Sequence, residues 1–221
     1  MNPVDLRLYA IVDPEHTGGK TLAELARQVA EGGATLVQLR DKRSDTRPFI
    51  ENAKAVQAAL KPYGVPLVIN DRVDVAMVVG AKGVHIGQTD MAAADARRLL
   101  GPKAIIGLSL KSHEHIAAAP LDLLDYVAIG GAYATSSKET TTRPVGLDGF
   151  RERVAAMRAR AKDMPIVAIG GISAANAAPL LDAGVDGVSV ISALSKPADS
   201  AAAARELRGV VEAALARRKT R

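Results

Sequence analysis

Thr35-Leu36-Val37-Gln38-Leu39-Arg40-Asp41-Lys42 opens as a β-branched, apolar run and closes on charge. Side chains alternate faces along a strand, so Val37 and Leu39 share one side and Gln38 and Arg40 the other. If the apolar pair packs under helices, Gln38 and Arg40 point into the mouth of a barrel. The flanking segments Leu22–Glu31 and Phe49–Leu60 have helical spacing.

The same unit recurs in both directions. Strands are expected at Leu8–Val12, Thr35–Arg40, Pro66–Asn70, Gly83–Gly87, Ile105–Ser109, Tyr126–Gly130, Pro165–Gly170 and Gly187–Ser192. Further helices are expected at Val73–Val79, Ala93–Leu100, Leu147–Ala161, Ala174–Ala183 and Ala201–Ala216, with a weaker one from Ser112 to Ala119. Near-continuous apolar strands have both faces covered, and strand–helix alternation implies parallel pairing. Eight units without a long linker predict a single-domain (β/α)8 TIM barrel over residues 1–221. A doubly wound sheet would show a glycine fingerprint after its first strand. Asp13-Pro14-Glu15 stands there instead.

Composition narrows the function. Hydrophobic residues make up 48% and charged residues 24% of the 221, as in an ordinary globular domain. The absence of cysteine excludes disulfides, thiolate metal sites and a cysteine nucleophile. No apolar run approaches the ~18 residues of a membrane span, and Met1 to Arg7 lacks the features of a signal peptide. A cytoplasmic location and no membrane partner are expected. The net charge of +5 raises nucleic acid as a partner. Much of the excess lies in a basic tail at about 217–221, which reads as a frayed helix end that favours cations. Only 3% of residues are aromatic, too few to stack single strands, so no nucleic-acid partner is expected. A homo-oligomer is possible but not readable from the chain.

Barrels of this kind work at the C-terminal ends of their strands, and the polar residues collect there. Arg40 and Lys42 suit an anion, or Arg40 forms a structural salt bridge inside the barrel. Asp71 and Asp90 follow neighbouring strands and fit a hard cation such as Mg2+, which takes one or two carboxylates plus phosphate oxygens and water. Singly, each reads as a helix N-cap. Ser109 ends the fifth strand. Tyr133-Ala134-Thr135-Ser136-Ser137-Lys138 offers hydroxyls, amides and a cation for a phosphate, and the polar loop through Gly146 reads as a lid or a solvated loop. Gly170-Gly171 and Ile191-Ser192 end strands seven and eight, a common phosphate position. His85, between Val84 and Ile86, reads as a core histidine or as support for the site. No serine-nucleophile elbow is present.

Gln38-Leu39-Arg40-Asp41-Lys42, Asn70-Asp71, Gly83 to Asp90, Gly107-Leu108-Ser109, Ile169-Gly170-Gly171-Ile172 and Val188 to Ser192 occur in order, one per strand end. In this the chain resembles the thiamine-phosphate synthase family from about Leu8 to Leu207. The resemblance implies a (β/α)8 barrel transferase of thiamine biosynthesis. It would join 4-amino-2-methyl-5-(diphosphooxymethyl)pyrimidine to 4-methyl-5-(2-phosphooxyethyl)thiazole, releasing pyrophosphate. It implies that Gln38, Leu39, Arg40, Asp41, Lys42, Asn70, Ser109 and Lys138 bind the pyrimidine diphosphate, with Arg40, Lys42, Ser109 and Lys138 catalytic. Asp71 and Asp90 would hold one Mg2+. Thr135, Ser136, Ser137, Gly171, Ile191 and Ser192 would bind the thiazole phosphate. Ala134 and Ser137 depart from the commonest Tyr-Pro-Thr-x-Thr-Lys form of the family, which bears on affinity. The alternatives are a barrel that isomerises a thiazole phosphate and a non-catalytic phosphate-binding barrel.

Overall fold

The computed structural model describes residues 4–137 and 143–220. Eight parallel strands close on themselves in chain order: β1 Leu8–Val12, β2 Leu36–Leu39, β3 Leu67–Asn70, β4 Gly83–Ile86, β5 Ile105–Leu110, β6 Tyr126–Gly130, β7 Ile166–Ile169 and β8 Gly187–Val190. Closure is made by β1 against β8, with Tyr9 opposite Ser189. The helices are α1 Leu22–Glu31, α2 Thr46–Leu60, α3 Val73–Val79, α4 Ala93–Leu100, α5 His113–Ala118, α6 Gly146–Arg160, α7 Ala178–Asp182, α8 Ser192–Ser195 and α9 Ser200–Lys219. The expected (β/α)8 barrel is therefore the fold. Among the described residues no helix is long and apolar enough to cross a membrane.

Alternation along each strand divides the apolar residues into two cores. Val37 and Leu39 join Leu25, Val29, Phe49 and Val56 in the layer between strands and helices. Leu36, Val68, Ile105, Tyr126, Ala128 and Val167 fill the barrel interior together with Leu6 and Tyr9. Gln38 lies two residues beyond Leu36 and shares its inward face. Helix α1 illustrates how the outer layer is specified. Leu25, Ala26, Val29 and Ala30 form its buried stripe, at the spacing that puts residues on one helical face. The Thr21 hydroxyl accepts the Glu24 amide at 3.1 Å and caps its start.

Four boundaries differ from expectation by two residues or more, one of them the end of α9, which runs on to Lys219 rather than stopping at Ala216. Helix α2 begins at Thr46, ahead of Pro48, because proline in a first turn removes no needed hydrogen bond. Helix α7 begins only at Ala178, since the Asn176 side chain ties residues 171–176 into a turn by accepting from Ser173 N and donating to Gly171 O. The eighth strand stops at Val190, and Ser192 opens α8.

At the N-terminal rim the charges are tied down. Arg97 of α4 donates to the Ala104 and Leu123 carbonyls at 2.7 and 2.8 Å and to Asp125 Oδ2 at 2.7 Å. Asp125 also accepts the Ile106 amide. Arg158 of α6 makes the corresponding pair with Asp186, which accepts the Ile166 amide. Arg218 lies in the basic C-terminal stretch expected to fray. Its guanidinium instead reaches Val185 O at 2.6 Å and Asp186 Oδ1 at 3.0 Å.

Candidate active site

The second strand delivers its polar residues to the C-terminal rim as its pattern requires. Gln38 is buried in the interior, while Arg40 is partly exposed above it. Arg40 Nη1 donates to Asp13 Oδ2 at 2.5 Å, so Asp13, buried at the end of β1, is the salt-bridge partner left open by the sequence. The pairing orients Arg40 without consuming it. A guanidinium carries five donors, and one Nη is engaged here. Lys42 pairs with Asp71 across the rim. Leu39 packs its side chain in the outer layer, so only its backbone faces a ligand. Asp41 is buried, and its Oδ1 accepts the Arg43 and Ser44 amides at 3.1 and 2.9 Å.

Asp71 stands apart in its backbone. Its φ of 60° is the one positive value at a non-glycine position among the described residues. Such a conformation costs about 1–3 kcal/mol and persists where the surroundings over-determine it. The surroundings are Asn70 Nδ2, which donates to Asp71 Oδ2 at 2.6 Å, the Lys42 ammonium and the β4 backbone, where His85 O accepts the Asp71 amide at 2.8 Å. Asp90 is folded back by the Gly87 amide, which donates to its Oδ2 at 2.8 Å. Burial raises the Asp71 carboxyl above the ordinary range; Lys42 opposes this, and Asp90 close by adds to it. Two carboxylates facing each other at a rim form a site of surplus negative charge. Among the described residues no cluster of three or more His, Cys, Asp or Glu side chains forms. Two carboxylates are within what Mg2+ needs from a protein when phosphate and water complete its shell.

Beneath this rim runs a buried polar chain that the sequence hinted at only through His85. Gln38 Nε2 donates to Tyr9 Oη. Tyr9 Oη lies 2.9 Å from Tyr126 Oη. Tyr126 Oη lies 2.9 Å from His85 Nδ1, and His85 Nε2 lies 2.8 Å from Ser109 Oγ. The ring planes of Tyr126 and His85 stack at 27°, with centroids 5.6 Å apart. Gly107 makes room for this: a Cβ there would sit 2.0 Å from Tyr126 Cζ. His85 is thus a support of the rim rather than inert core.

The far side of the rim holds a small cavity of about 40 Å³ lined by Thr135, Ser137, Gly170, Gly171, Ser189 and Ser192, among others. The sequence-predicted phosphate residues Thr135, Ser137, Gly171, Ile191 and Ser192 therefore meet in one place. Ser136 is exposed beside them. Lys138 lies outside the described residues, as does the middle of the expected lid. Gly171 cannot be replaced without moving the loop. Its φ is +64°, and a Cβ would meet Ala134 O at 2.1 Å. Ser189, which the sequence did not single out, is buried with no partner for its hydroxyl in the described structure. Val188 and Val190 pack in the outer layer, so alternation turns Ser189 inward, and that was the available signal.

A closed (β/α)8 barrel whose polar side chains gather at the C-terminal strand ends belongs to the class of barrel enzymes that act at that face. Known proteins give the class its family. A family profile described as "Thiamine monophosphate synthase" matches residues 8–194. The chain is 47% identical over 219 residues to a thiamine-phosphate synthase of Agrobacterium fabrum, covering 99% of this chain and 100% of the relative. It is 45% identical to one of Albidiferax ferrireducens, covering 94% and 93%. The solved thiamine phosphate pyrophosphorylase of Pyrococcus furiosus superposes with a TM-score of 0.82 at 36% identity, over 96% of this chain and 98% of that one. The chain belongs to the thiamine monophosphate synthase family and is a transferase.

Proposed function

We propose that this rim joins 4-amino-2-methyl-5-(diphosphooxymethyl)pyrimidine to 4-methyl-5-(2-phosphooxyethyl)thiazole, giving thiamine phosphate and pyrophosphate. The observation that carries the reading is the pairing of two separate polar regions on one barrel mouth. One holds Arg40, Lys42 and the Asp71–Asp90 carboxylates, suited to a diphosphate. The other is the hydroxyl- and glycine-lined cavity of Thr135, Ser137, Gly171 and Ser192, suited to a monophosphate.

The chemistry needs no protein nucleophile. The bond between the pyrimidine methylene carbon and the diphosphate oxygen breaks, the electron pair leaves with the pyrophosphate, and the ring stabilises the cation. The thiazole nitrogen then supplies the pair for the new carbon–nitrogen bond. Arg40, held by Asp13, and Lys42 neutralise charge on the departing group. Such preorganised charge is usually the largest catalytic contribution. Gln38, Asn70 and Ser109 orient the first substrate, with Leu39 and Asp41 contributing backbone and loop shape, and Lys138 completes the cation set. Thr135, Ser136, Ser137, Gly171, Ile191 and Ser192 hold the thiazole phosphate so that the reacting atoms are aligned. Asp71 and Asp90 would hold one Mg2+, which would neutralise diphosphate oxygens when bound. The same reading carries a cytoplasmic location and small phosphorylated molecules as partners, without nucleic acid or membrane.

Incubating the protein with both substrates and Mg2+ and measuring pyrophosphate tests the reading. Pyrophosphate release that requires the thiazole phosphate is expected. Conversion of the thiazole phosphate alone, or no turnover of either, would replace it with an isomerase or a binding protein.

A further inference from the structure

The chain of buried hydroxyls and rings beneath the rim has a direction. Gln38 is 1% exposed, and its Nε2 donates to Tyr9 Oη. Tyr9 must then place its own proton elsewhere, and the neighbour in reach is Tyr126 Oη at 2.9 Å. The 2.9 Å separations Tyr9 Oη–Tyr126 Oη and Tyr126 Oη–His85 Nδ1 allow either atom to donate; in the direction set by the Gln38 amide, Tyr126 accepts from Tyr9 and donates to His85 Nδ1. An imidazole that accepts at Nδ1 carries its proton at Nε2 when neutral, and Nε2 faces Ser109 Oγ at 2.8 Å. Ser109 Oγ then accepts the hydrogen bond from Nε2, which leaves its own hydroxyl proton to be donated toward the mouth. At the other end Gln38 Oε1 is buried without a partner in the described structure. Burial holds both tyrosine hydroxyls well above the ordinary phenol range, so both keep the proton that the sequence of donations needs.

We infer that Tyr9, Tyr126 and His85 form a one-way hydrogen-bond relay that presents Gln38 as an acceptor and Ser109 as a donor to a single substrate. The three are positioning residues, since each acts through Gln38 or Ser109. The substrate chemistry is complementary: an amino group opposite Gln38 Oε1, and an oxygen or ring nitrogen with a lone pair opposite the Ser109 hydroxyl. An aminopyrimidine diphosphate carries both kinds of group, and in that identification the inference rests on the proposed function. The direction of the relay does not. A His85 protonated at Nδ1 would donate to Tyr126 Oη instead and leave Nε2 to accept from Ser109, which would turn Ser109 away from the donor role. Gly107 serves the same end, since its missing Cβ is what lets the Tyr126 phenol lie across the barrel.

The test reads the tautomer directly. Protein labelled with 15N-histidine is examined ligand-free near neutral pH by long-range 1H–15N correlation, with His85→Gln used to assign the His85 signals among the four histidines. The expected spectrum has Nε2 protonated and Nδ1 bare. Tyr126→Phe keeps the ring and removes the hydroxyl. It is expected to shift the His85 pattern and to lower kcat/KM for the pyrimidine diphosphate on the order of tenfold. The KM for the thiazole phosphate should not move. Tyr9→Phe should lower the same ratio while leaving the His85 tautomer mostly as Nε2–H. A wild-type His85 that is protonated at Nδ1 overturns the relay, as does a folded Tyr126→Phe protein with undiminished kcat/KM. The wild-type spectrum decides the direction even if Tyr126→Phe does not fold. A protein inactive on both substrates would sink the functional reading while leaving the tautomer result standing.

Discussion

The two ends of the barrel use the same residue types for opposite purposes. At the N-terminal rim Arg97, Arg158 and Arg218 are matched to Asp125 and Asp186, and each also donates to backbone carbonyls. At the C-terminal rim the matching is incomplete. Asp71 is held with φ at 60° and faces Asp90. Gln38 Oε1, Asp41 Oδ2 and Ser189 Oγ are buried without partners in the described structure. An unsatisfied buried polar atom costs about 1–3 kcal/mol, and three of those in the described structure belong to residues of the proposed site. One end commits its polar groups to internal pairs, and the other leaves several of them unpaired, as the proposed function requires.

That contrast can be broken first at the stable end. Arg97→Ala takes the guanidinium from buried Asp125, which keeps the Ile106 amide, and removes the donor shared by three carbonyls. Removing one partner of a buried pair costs about 3–5 kcal/mol, so Tm should fall by roughly 10 °C in a chain of this size. Thermal denaturation checks this. Turnover by the remaining folded protein, measured well below Tm, should match wild type.

At the open end the effect moves from Tm to rate. Asp90→Ala should lower Mg2+-dependent turnover by about 100-fold or more, equivalent to ~2.7 kcal/mol of transition-state stabilisation, with Tm close to wild type. Steady-state kinetics at saturating Mg2+ and a melting curve decide it. Turnover near wild type would remove the metal assignment.

The smallest effect sharpens the comparison at Asp71. Its carboxyl is held above the ordinary range by burial and by Asp90 against the pull of Lys42. A raised carboxyl favours the fold in its protonated form, so its contribution is present at low pH and lost as pH rises through the folded value. Ligand-free wild type should therefore gain stability relative to Asp71→Asn as the medium is acidified through that range. The gain should be less than about 1 kcal/mol because solvent screens the rim. Tm measured against pH for both proteins reads it. An Arg97→Ala background should leave the pH effect unchanged, since the two sites lie at opposite ends.

Local pattern carried the strands and half of the site into the sequence. Each strand was found to within two residues because apolar runs bounded by glycine, asparagine or aspartate announce themselves. The inward direction of Gln38 and Arg40 followed from alternation alone. The short α8 was lost because four residues show no helical period, and Pro48 concealed the start of α2. The partners were less legible than the residues. Asp13 and Arg40 are 27 positions apart, His85 and Tyr126 41, and Tyr9 and Tyr126 117. Only barrel closure brings them together, and no spacing rule reaches across it. Motif order identified the family, whereas the relay under the rim needed side-chain geometry.

Calorimetric titration of pyrophosphate into the protein, with and without Mg2+, goes to the centre of the account. Wild type should bind pyrophosphate with Mg2+ at least tenfold more tightly than without it, and Asp90→Ala should show the same weak affinity in both conditions. Equal affinity of wild type with and without the ion would contradict the claim that Asp71 and Asp90 share a cation-bridged diphosphate with Arg40.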